Sequence, residues 1–399
     1  MEIKIAAIGN VDSAKSTTIS CLANNILDDG RGFARKKILK YTHEAISGRT
    51  SSITHHYLKT DDNIIDFVDL AGHEKYLKTT ATGLNSSFID YAMVTIGSDR
   101  GIIGMTKEHI ILALALKLPI FIVITKIDVA KQHKLEKILN RIITIMSSKA
   151  AGKKKCIVIK EHDSIDKLNN FANKNICPIF LTSNTKGTNL PNLRSFVTGL
   201  KSTNNWKTLV NNNSVFIIDE AFKVVGVGLV VSGLVKEGII RIGDKISIGP
   251  FSGKFKEVVV KSIHDNFRNN IDYLEAGFSG CLNIKPVNTK KEAINKTMIR
   301  RGKVCLKTPK CIREFDAEVT ILHHPTTIKV NYQPFIHCGS VRQCARICHM
   351  DKQLIRTGDK AIVKFKFMFH PEFVETNSTL IFREGKTKGI GKIISVKYN

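Results

Sequence analysis

Two polar turns, each following a short apolar run, restrict what this chain can fold into more than any other feature. Residues 3–8 are mostly apolar and lead into Gly9, Asn10, Val11, Asp12, Ser13, Ala14, Lys15 and Ser16, after which residues 17–23 have helical character. That order reads as strand, tight turn, helix. Residues 64–68 form a second such run and lead into Asp69, Leu70, Ala71, Gly72 and His73. Two loops of this kind in this order point to an α/β sheet that reads phosphate at its strand ends.

Each residue type in the first loop suits that task. Backbone N–H groups curled at a helix N-terminus, aided by the helix dipole, hold the α and β phosphates, from Gly9 through Thr17. Lys15 reaches the β and γ phosphates, and the Ser16 hydroxyl is a hard oxygen ligand for Mg²⁺. Ala14 stands where the usual pattern has glycine. If the backbone there is left-handed, alanine costs about 1–2 kcal/mol.

Two further buried strands end in polar residues. Residues 120–124 lead to Thr125, Lys126 and Asp128, and residues 178–181 lead to Thr182, Ser183 and Asn184. A carboxylate such as Asp128 accepts two hydrogen bonds from the N1–H and N2–H₂ edge of guanine, a donor pair that adenine lacks. The four pieces, in order and each at a strand end, predict a guanine-nucleotide site binding GTP and GDP with Mg²⁺.

With these residues in place, the chain resembles the translational GTPases of the elongation factor Tu and elongation factor 1-alpha superfamily, and within it the GTP-binding protein 1 and 2 branch. The resemblance covers nearly the whole chain. It is carried most specifically by residues 29–35 (DGRGFAR), 47–52 (SGRTSS), 69–80 (DLAGHEKYLKTT) and 104–109 (GMTKEH).

The resemblance implies further roles. Thr50 falls on the threonine that closes over Mg²⁺ and the γ-phosphate, Asp69 on the residue that holds Mg²⁺ through water, and Gly72 on a backbone donor to the γ-phosphate. His73 falls on the histidine that positions the attacking water, in keeping with a reaction governed by alignment and charge stabilisation. Lys126 covers the plane of the base, and the backbone around Ser183 and Asn184 meets its O6.

Three positions depart from the pattern or add to it. Arg49 replaces an apolar gate residue, and an ion pair with Glu44 is the expected role rather than charge stabilisation in cis. Thr125 replaces the asparagine whose amide ties the base loop to the first loop, and it has one hydroxyl proton to offer. Asp12 is a candidate for holding a monovalent cation near the phosphates.

Beyond residue 199 the grammar changes. A polar stretch through residue 214 marks a boundary, and the chain after it has short strands punctuated by glycine, as in barrels. The expected organisation is an α/β P-loop GTPase domain with a doubly wound, mostly parallel sheet over residues 1–205, then β-barrels over 206–295 and 296–399. Helices are predicted over 106–118 and 134–146. The apolar stretch 110–124 is broken by Lys117 and Pro119, so it reads as helix plus buried strand rather than a membrane span. No membrane association is expected.

The 61 Lys and Arg against 35 Asp and Glu give a net charge of +26, an excess that free GTP does not require and that fits a polyanion such as RNA. The nine cysteines are odd in number and scattered, so reduced cytoplasmic thiols are expected rather than a disulfide framework. His337, Cys338, Cys344, Cys348 and His349 match no zinc spacing. The first strand starts almost at Met1, so a removable leader could not be cut without destroying the site.

The functional expectation is a monomeric GTP-hydrolysing switch whose partners, by resemblance, are aminoacyl-tRNA and the ribosome. Other readings are an RNA surveillance or ribosome-rescue factor, an adapter with residual GTPase activity, and a regulatory GTPase subunit of a metabolic enzyme.

Overall fold

The computed structural model describes residues 1–38, 53–76, 79–80, 83–84, 88–168, 170–288, 294–300, 302–339, 341–384 and 387–398. Thr50, Arg49 and Glu44 lie outside them. The chain forms two compact units, Met1–Asn204 and Asn205–Asn399.

The first unit contains β1 (Glu2–Gly9), α1 (Lys15–Asn24), α2 (Phe33–Lys36), β2 (Thr54–Lys59), β3 (Ile64–Asp69), β4 (Tyr91–Gly97), α3 (Gly104–Ala115), β5 (Ile120–Thr125), α4 (Gln132–Met146), β6 (Lys155–Ile159), β7 (Ile176–Leu181) and α5 (Leu190–Thr198). Its seven strands run in the order β2-β3-β1-β4-β5-β7-β6. Among the described residues of this sheet, only β2 and β3 pair antiparallel.

Strands β1, β4 and β5 are buried along their whole length, as expected of parallel strands covered on both faces. Alternation then divides the core in two. Ile3, Ile5 and Ala7 join one apolar cluster, while Ala6 and Ile8 join the other. The register aligns the strand ends: Ala7 pairs with Asp69, Gly9 with Thr95 and Gly97 with Thr125. The turns after β1, β3, β4, β5 and β7 therefore emerge along one edge.

The helix predicted over 106–118 spans Gly104–Ala115 instead, and Lys117, at φ 57, takes the left-handed geometry that stops it. The second expected helix begins two residues earlier, at Gln132. The polar stretch after α5 folds back on its own unit: Asp90 Oδ1 accepts hydrogen bonds from Ser202, Thr203 and Asn204.

The second unit contains α6 (Trp206–Leu209), β8 (Val215–Val224), β9 (Gly228–Glu237), β10 (Ile239–Arg241), β11 (Lys245–Phe251), β12 (Lys254–Asp265), β13 (Asn270–Ile271), β14 (Tyr273–Glu275), β15 (Ser279–Pro286) and β16 (Val304–Leu306). It continues with β17 (Ile312–His323), β18 (Phe335–Cys338), β19 (Val341–Met350), β20 (Lys360–Phe367), β21 (Thr379–Glu384) and β22 (Thr387–Tyr398).

Strands β11-β16-β8-β9-β15-β12 close into a ring through the β11–β12 pairing. The boundary expected at 295/296 needs correction. Val304–Leu306 pairs with both β8 and β11, so the first barrel is incomplete without residues beyond 295. β13 pairs with β12, β10 and β14 pair with each other, and the last six strands form a second closed barrel, β17-β20-β19-β18-β21-β22. Barrels of this size are filled by side chains; here Phe315 lies 5.4 Å from Phe365 and 5.2 Å from Phe367, centroid to centroid.

Trp206 packs on the first barrel, where a Cβ at Gly277 would come within 2.5 Å of its ring. The two barrels meet through polar contacts: Lys236 pairs with Glu375, and Lys303 lies 3.7 Å from Glu372. All nine cysteines are free thiols. Among the described residues no three His, Cys, Asp or Glu side chains gather as a metal site.

Candidate functional site

The turn after β1 is held in a shape most residues resist. Gly9 has φ 146, and a Cβ there would overlap the Thr95 carbonyl oxygen. Asp12 (φ 63) and Ala14 (φ 62, ψ 28) are left-handed, so the alanine carries the cost of about 1–2 kcal/mol expected for that geometry. Ser13 Oγ braces the turn, donating to the Asn10 carbonyl at 2.8 Å and meeting Thr95 Oγ1 at 3.0 Å. The Asn10 amide donates to the Val11 carbonyl.

Lys15 opens α1 and is buried. Its Nζ donates to the carbonyls of Gly9 (3.2 Å) and Asn10 (2.8 Å). Burial pushes its pKa below the usual lysine value, opposed by the negative charges of Asp69 and Asp12. A cation in the mouth of a backbone loop, desolvated and held by carbonyls, is ready to take an anion.

The turn after β3 is pressed against this loop. Ser16 Oγ donates to Asp69 Oδ2 at 2.5 Å, and both side chains are buried. At Gly72 a Cβ would lie 2.5 Å from Lys15 Nζ and 2.7 Å from the Gly9 oxygen, so only glycine fits. His73 is exposed; its Nδ1 accepts the Lys75 N–H at 3.1 Å, and its ring meets Tyr76 edge-on at 6.2 Å. The adjacent hydroxyl and carboxylate of Ser16 and Asp69 are the hard oxygen donors that Mg²⁺ prefers, and they fit such an ion.

At the other end of the edge, Thr125 Oγ1 donates to the Ser13 carbonyl at 3.0 Å. The hydroxyl's single proton thus ties this loop to the first one, in place of the asparagine amide of the resembled pattern. Lys126 Nζ pairs with Asp99 Oδ2 at 2.9 Å. Asp128 Oδ2 accepts from Thr185 Oγ1 at 3.1 Å. Burial pushes the Asp128 carboxyl up, but the hydroxyls of Ser183 and Thr185 and the charge of Lys186 outweigh it and hold the pKa below the usual value. Ser183 Oγ accepts the Lys186 N–H, and Asn184 Nδ2 donates to Thr18 Oγ1 at 3.0 Å, bracing the last loop on α1.

A cavity of about 470 Å³ opens among these loops. Asp12, Ala14 and Thr17 line one wall, and Lys126, Asp128 and Asn184 a second. A third wall, from Asp28 to Arg35, was not singled out in the sequence as lining the site. Asp12 is also engaged by Arg100, at 3.1 Å, which places a guanidinium beside the carboxylate considered for a monovalent cation.

Another missed residue is His109 on α3. The Gly9 N–H donates to its Nδ1 at 3.1 Å, so the ring is an acceptor beneath the first loop. Burial and the nearby Lys15 charge pull its pKa down to about 4, which keeps it neutral. A hydrogen bond spanning a hundred residues leaves no local signal in sequence, although His109 stands in the 104–109 string.

Comparison with known proteins gives the same picture. The Elongation factor Tu GTP binding domain family matches residues 2–203. GTP-binding protein 1 of Xenopus laevis is 39% identical over 98% of this chain and 63% of its own length. The chain thus spans less than two thirds of that relative. Elongation factor 1-alpha of Methanoculleus marisnigri is 27% identical over 91% of this chain and 88% of its own. Among solved structures, the S. cerevisiae Ski7 GTPase-like domain bound to GTP superposes with a TM-score of 0.77 at 14% identity, covering 98% of this chain and 97% of that one. That last likeness is one of fold.

Proposed function

Because the chain belongs to the elongation factor Tu family of GTP-binding domains, we propose that it is a GTP-hydrolysing molecular switch acting with aminoacyl-tRNA and the ribosome in the cytoplasm. The observation that carries the nucleotide part is that Lys15 and Gly72, and Ser16 and Asp69, meet on the same sheet edge whose cavity Ala14, Thr17 and Asp128 line.

In this reading Gly9 to Thr17 wrap the phosphates and Lys15 neutralises their charge. Ser16, Asp69 and Thr50 would hold Mg²⁺, which supplies charge neutralisation on the phosphate oxygens. Thr125 keeps the base loop docked on the phosphate loop, Lys126 lies along the base, Asp128 reads its N1–H and N2–H₂ edge, and Ser183 and Asn184 meet O6. The Gly72 N–H donates to the γ-phosphate. His73 orients the attacking water: with Nδ1 occupied by the Lys75 N–H, Nε2 is the nitrogen that does so. Alignment of a mobile water is then the slow element, which a partner surface corrects.

The net charge of +26 supports an RNA-containing partner, since counterion release rewards such an excess. Two barrels following the nucleotide domain, and a relative named elongation factor 1-alpha, support translation as the setting.

The test is single-turnover GTP hydrolysis with and without ribosomes, at several salt concentrations, with charged tRNA present or absent. The expected result is strong ribosomal stimulation that depends on charged tRNA and on His73. Stimulation without any tRNA dependence converts the reading to surveillance or rescue. Tight GTP binding with no stimulation contradicts the ribosomal role.

A further inference from the structure

The segment from Asp28 to Lys36 is tightly built. The Asp28 N–H donates to the Asn184 carbonyl at 2.9 Å, joining the segment to the base loop. Asp28 accepts the N–H groups of Gly30 and Ala34, and Asp29 Oδ1 accepts those of Arg31 (2.7 Å) and Phe33 (3.0 Å). Ser20 Oγ on α1 donates to the Ala34 carbonyl at 2.6 Å, and Ala34 is buried. Gly30 (φ 78) and Gly32 (φ 89) allow the chain to turn twice in three residues.

This scaffold delivers Arg31 and Arg35 to the wall of the nucleotide cavity, four residues apart and facing the same space as Asp12, Thr17 and Asp128. That space runs from the base loop to the first turn of α1, the end where a nucleotide carries its ribose and the phosphate nearest it. Asp69 and Gly72, the pieces assigned to the γ-phosphate, belong to the other end of the edge. Guanidinium groups suit phosphate oxygens because their N–H groups match them two at a time. The Arg35 Nη2 lies 4.0 Å from where a Cβ on Gly32 would stand, so the guanidinium folds back over the turn.

We propose that Arg31 and Arg35 form a clamp on the phosphates that GTP and GDP share, holding substrate and product alike and thereby slowing GDP release. This rests on the guanine-nucleotide reading of the site. A clamp at the ribose end contributes to binding without discriminating between the two nucleotide states, so it retains GDP after hydrolysis and makes exchange the step open to acceleration. Any factor that lifts the segment 28–36 from the base loop, breaking the Asp28–Asn184 bond, would release the nucleotide.

The experiment compares wild type, Arg31→Ala, Arg35→Ala and the two Arg→Lys variants, measuring affinity for GDP and for a non-hydrolysable GTP analogue, and GDP dissociation by fluorescence. Each alanine variant is expected to lose about tenfold or more in affinity for both nucleotides by the same factor, with GDP leaving correspondingly faster. The lysine variants are expected to recover part of the loss, which a merely unfolded protein would not. A loss confined to the GTP analogue overturns the clamp, because it places the arginines at the γ-phosphate. Unchanged GDP affinity in the alanine variants overturns it too, while leaving the guanine-nucleotide reading intact. Wild-type protein that binds no guanine nucleotide overturns that reading, and the clamp with it.

Discussion

Among the described residues, twenty-two polar or charged side chains are buried in residues 1–204, and four are buried in residues 205–399. Both units have well-packed apolar cores, so the contrast is not one of compactness. Burying a polar group costs free energy unless it is hydrogen-bonded, and a core built for stability alone leaves such groups out. The barrels follow that rule: two of their four exceptions, Gln343 and Glu372, bond to each other at 3.2 Å. The first unit departs from it mostly along the strand ends, where Lys15, Ser16, Asp69, Thr95, Ser98, Thr125 and Ser183 are all buried. Among the described residues, the polar burial along that edge supports the nucleotide site proposed there, and the barrel cores hold few such groups.

The sharpest way to break that contrast is at Lys15. Lys15→Ala should reduce GDP affinity by at least about a hundredfold, since a charge-assisted contact of a few kcal/mol is lost. Affinity within tenfold of wild type would show that the buried ammonium serves folding instead. In the other unit, Phe365→Ala should cost about 3–5 kcal/mol of stability by denaturant titration through loss of a packed ring. GDP affinity should be unchanged, and a parallel loss of affinity would erase the division between the barrel core and the polar edge.

His109 gives a test through pH. Its folded pKa, about 4, lies below the unfolded value near 6.5, so between these the unfolded chain binds more protons. Stability contributed by keeping the ring neutral is therefore present above about pH 6.5 and lost as pH falls toward 4, by about 3 kcal/mol in all. His109→Gln should flatten that part of the stability profile, and an unaltered slope would assign it to other groups. The smallest effect is expected at Ala14. Ala14→Gly should tighten GDP binding or raise stability by about 1 kcal/mol by relieving the left-handed alanine, and a net loss would show that the strain is relieved elsewhere.

The parts of the molecule that could be read from sequence are those where local pattern and buried position coincide. Strands β1, β3, β5 and β7 were legible because buried parallel strands are nearly continuous apolar runs. Asp69 could be placed because it ends such a run, and Lys15 and Asp128 because they stand just past the polar turns that follow one. The illegible parts depend on distant pairing. His109 reaches Gly9 across a hundred residues, and Thr125 finds the Ser13 carbonyl only once β1, β4 and β5 lie side by side. Val304–Leu306 is too short to announce which barrel it closes, and the boundary set at 295/296 fell before it. Asp28 to Arg35 carried a family string, but its place on the cavity wall comes from two backbone-capping carboxylates and a bond to Asn184.

If the polar edge of the first unit is a guanine-nucleotide site, Asp128 reads the base. That reading is tested most directly by displacing fluorescent GDP with GTP, ATP and XTP from wild type and from Asp128→Asn. Wild type should accept GTP and reject ATP and XTP, and the variant should shift toward XTP, because the side-chain amide reverses one hydrogen bond to the base. The same nucleotide preference in both proteins would remove Asp128 from the base site.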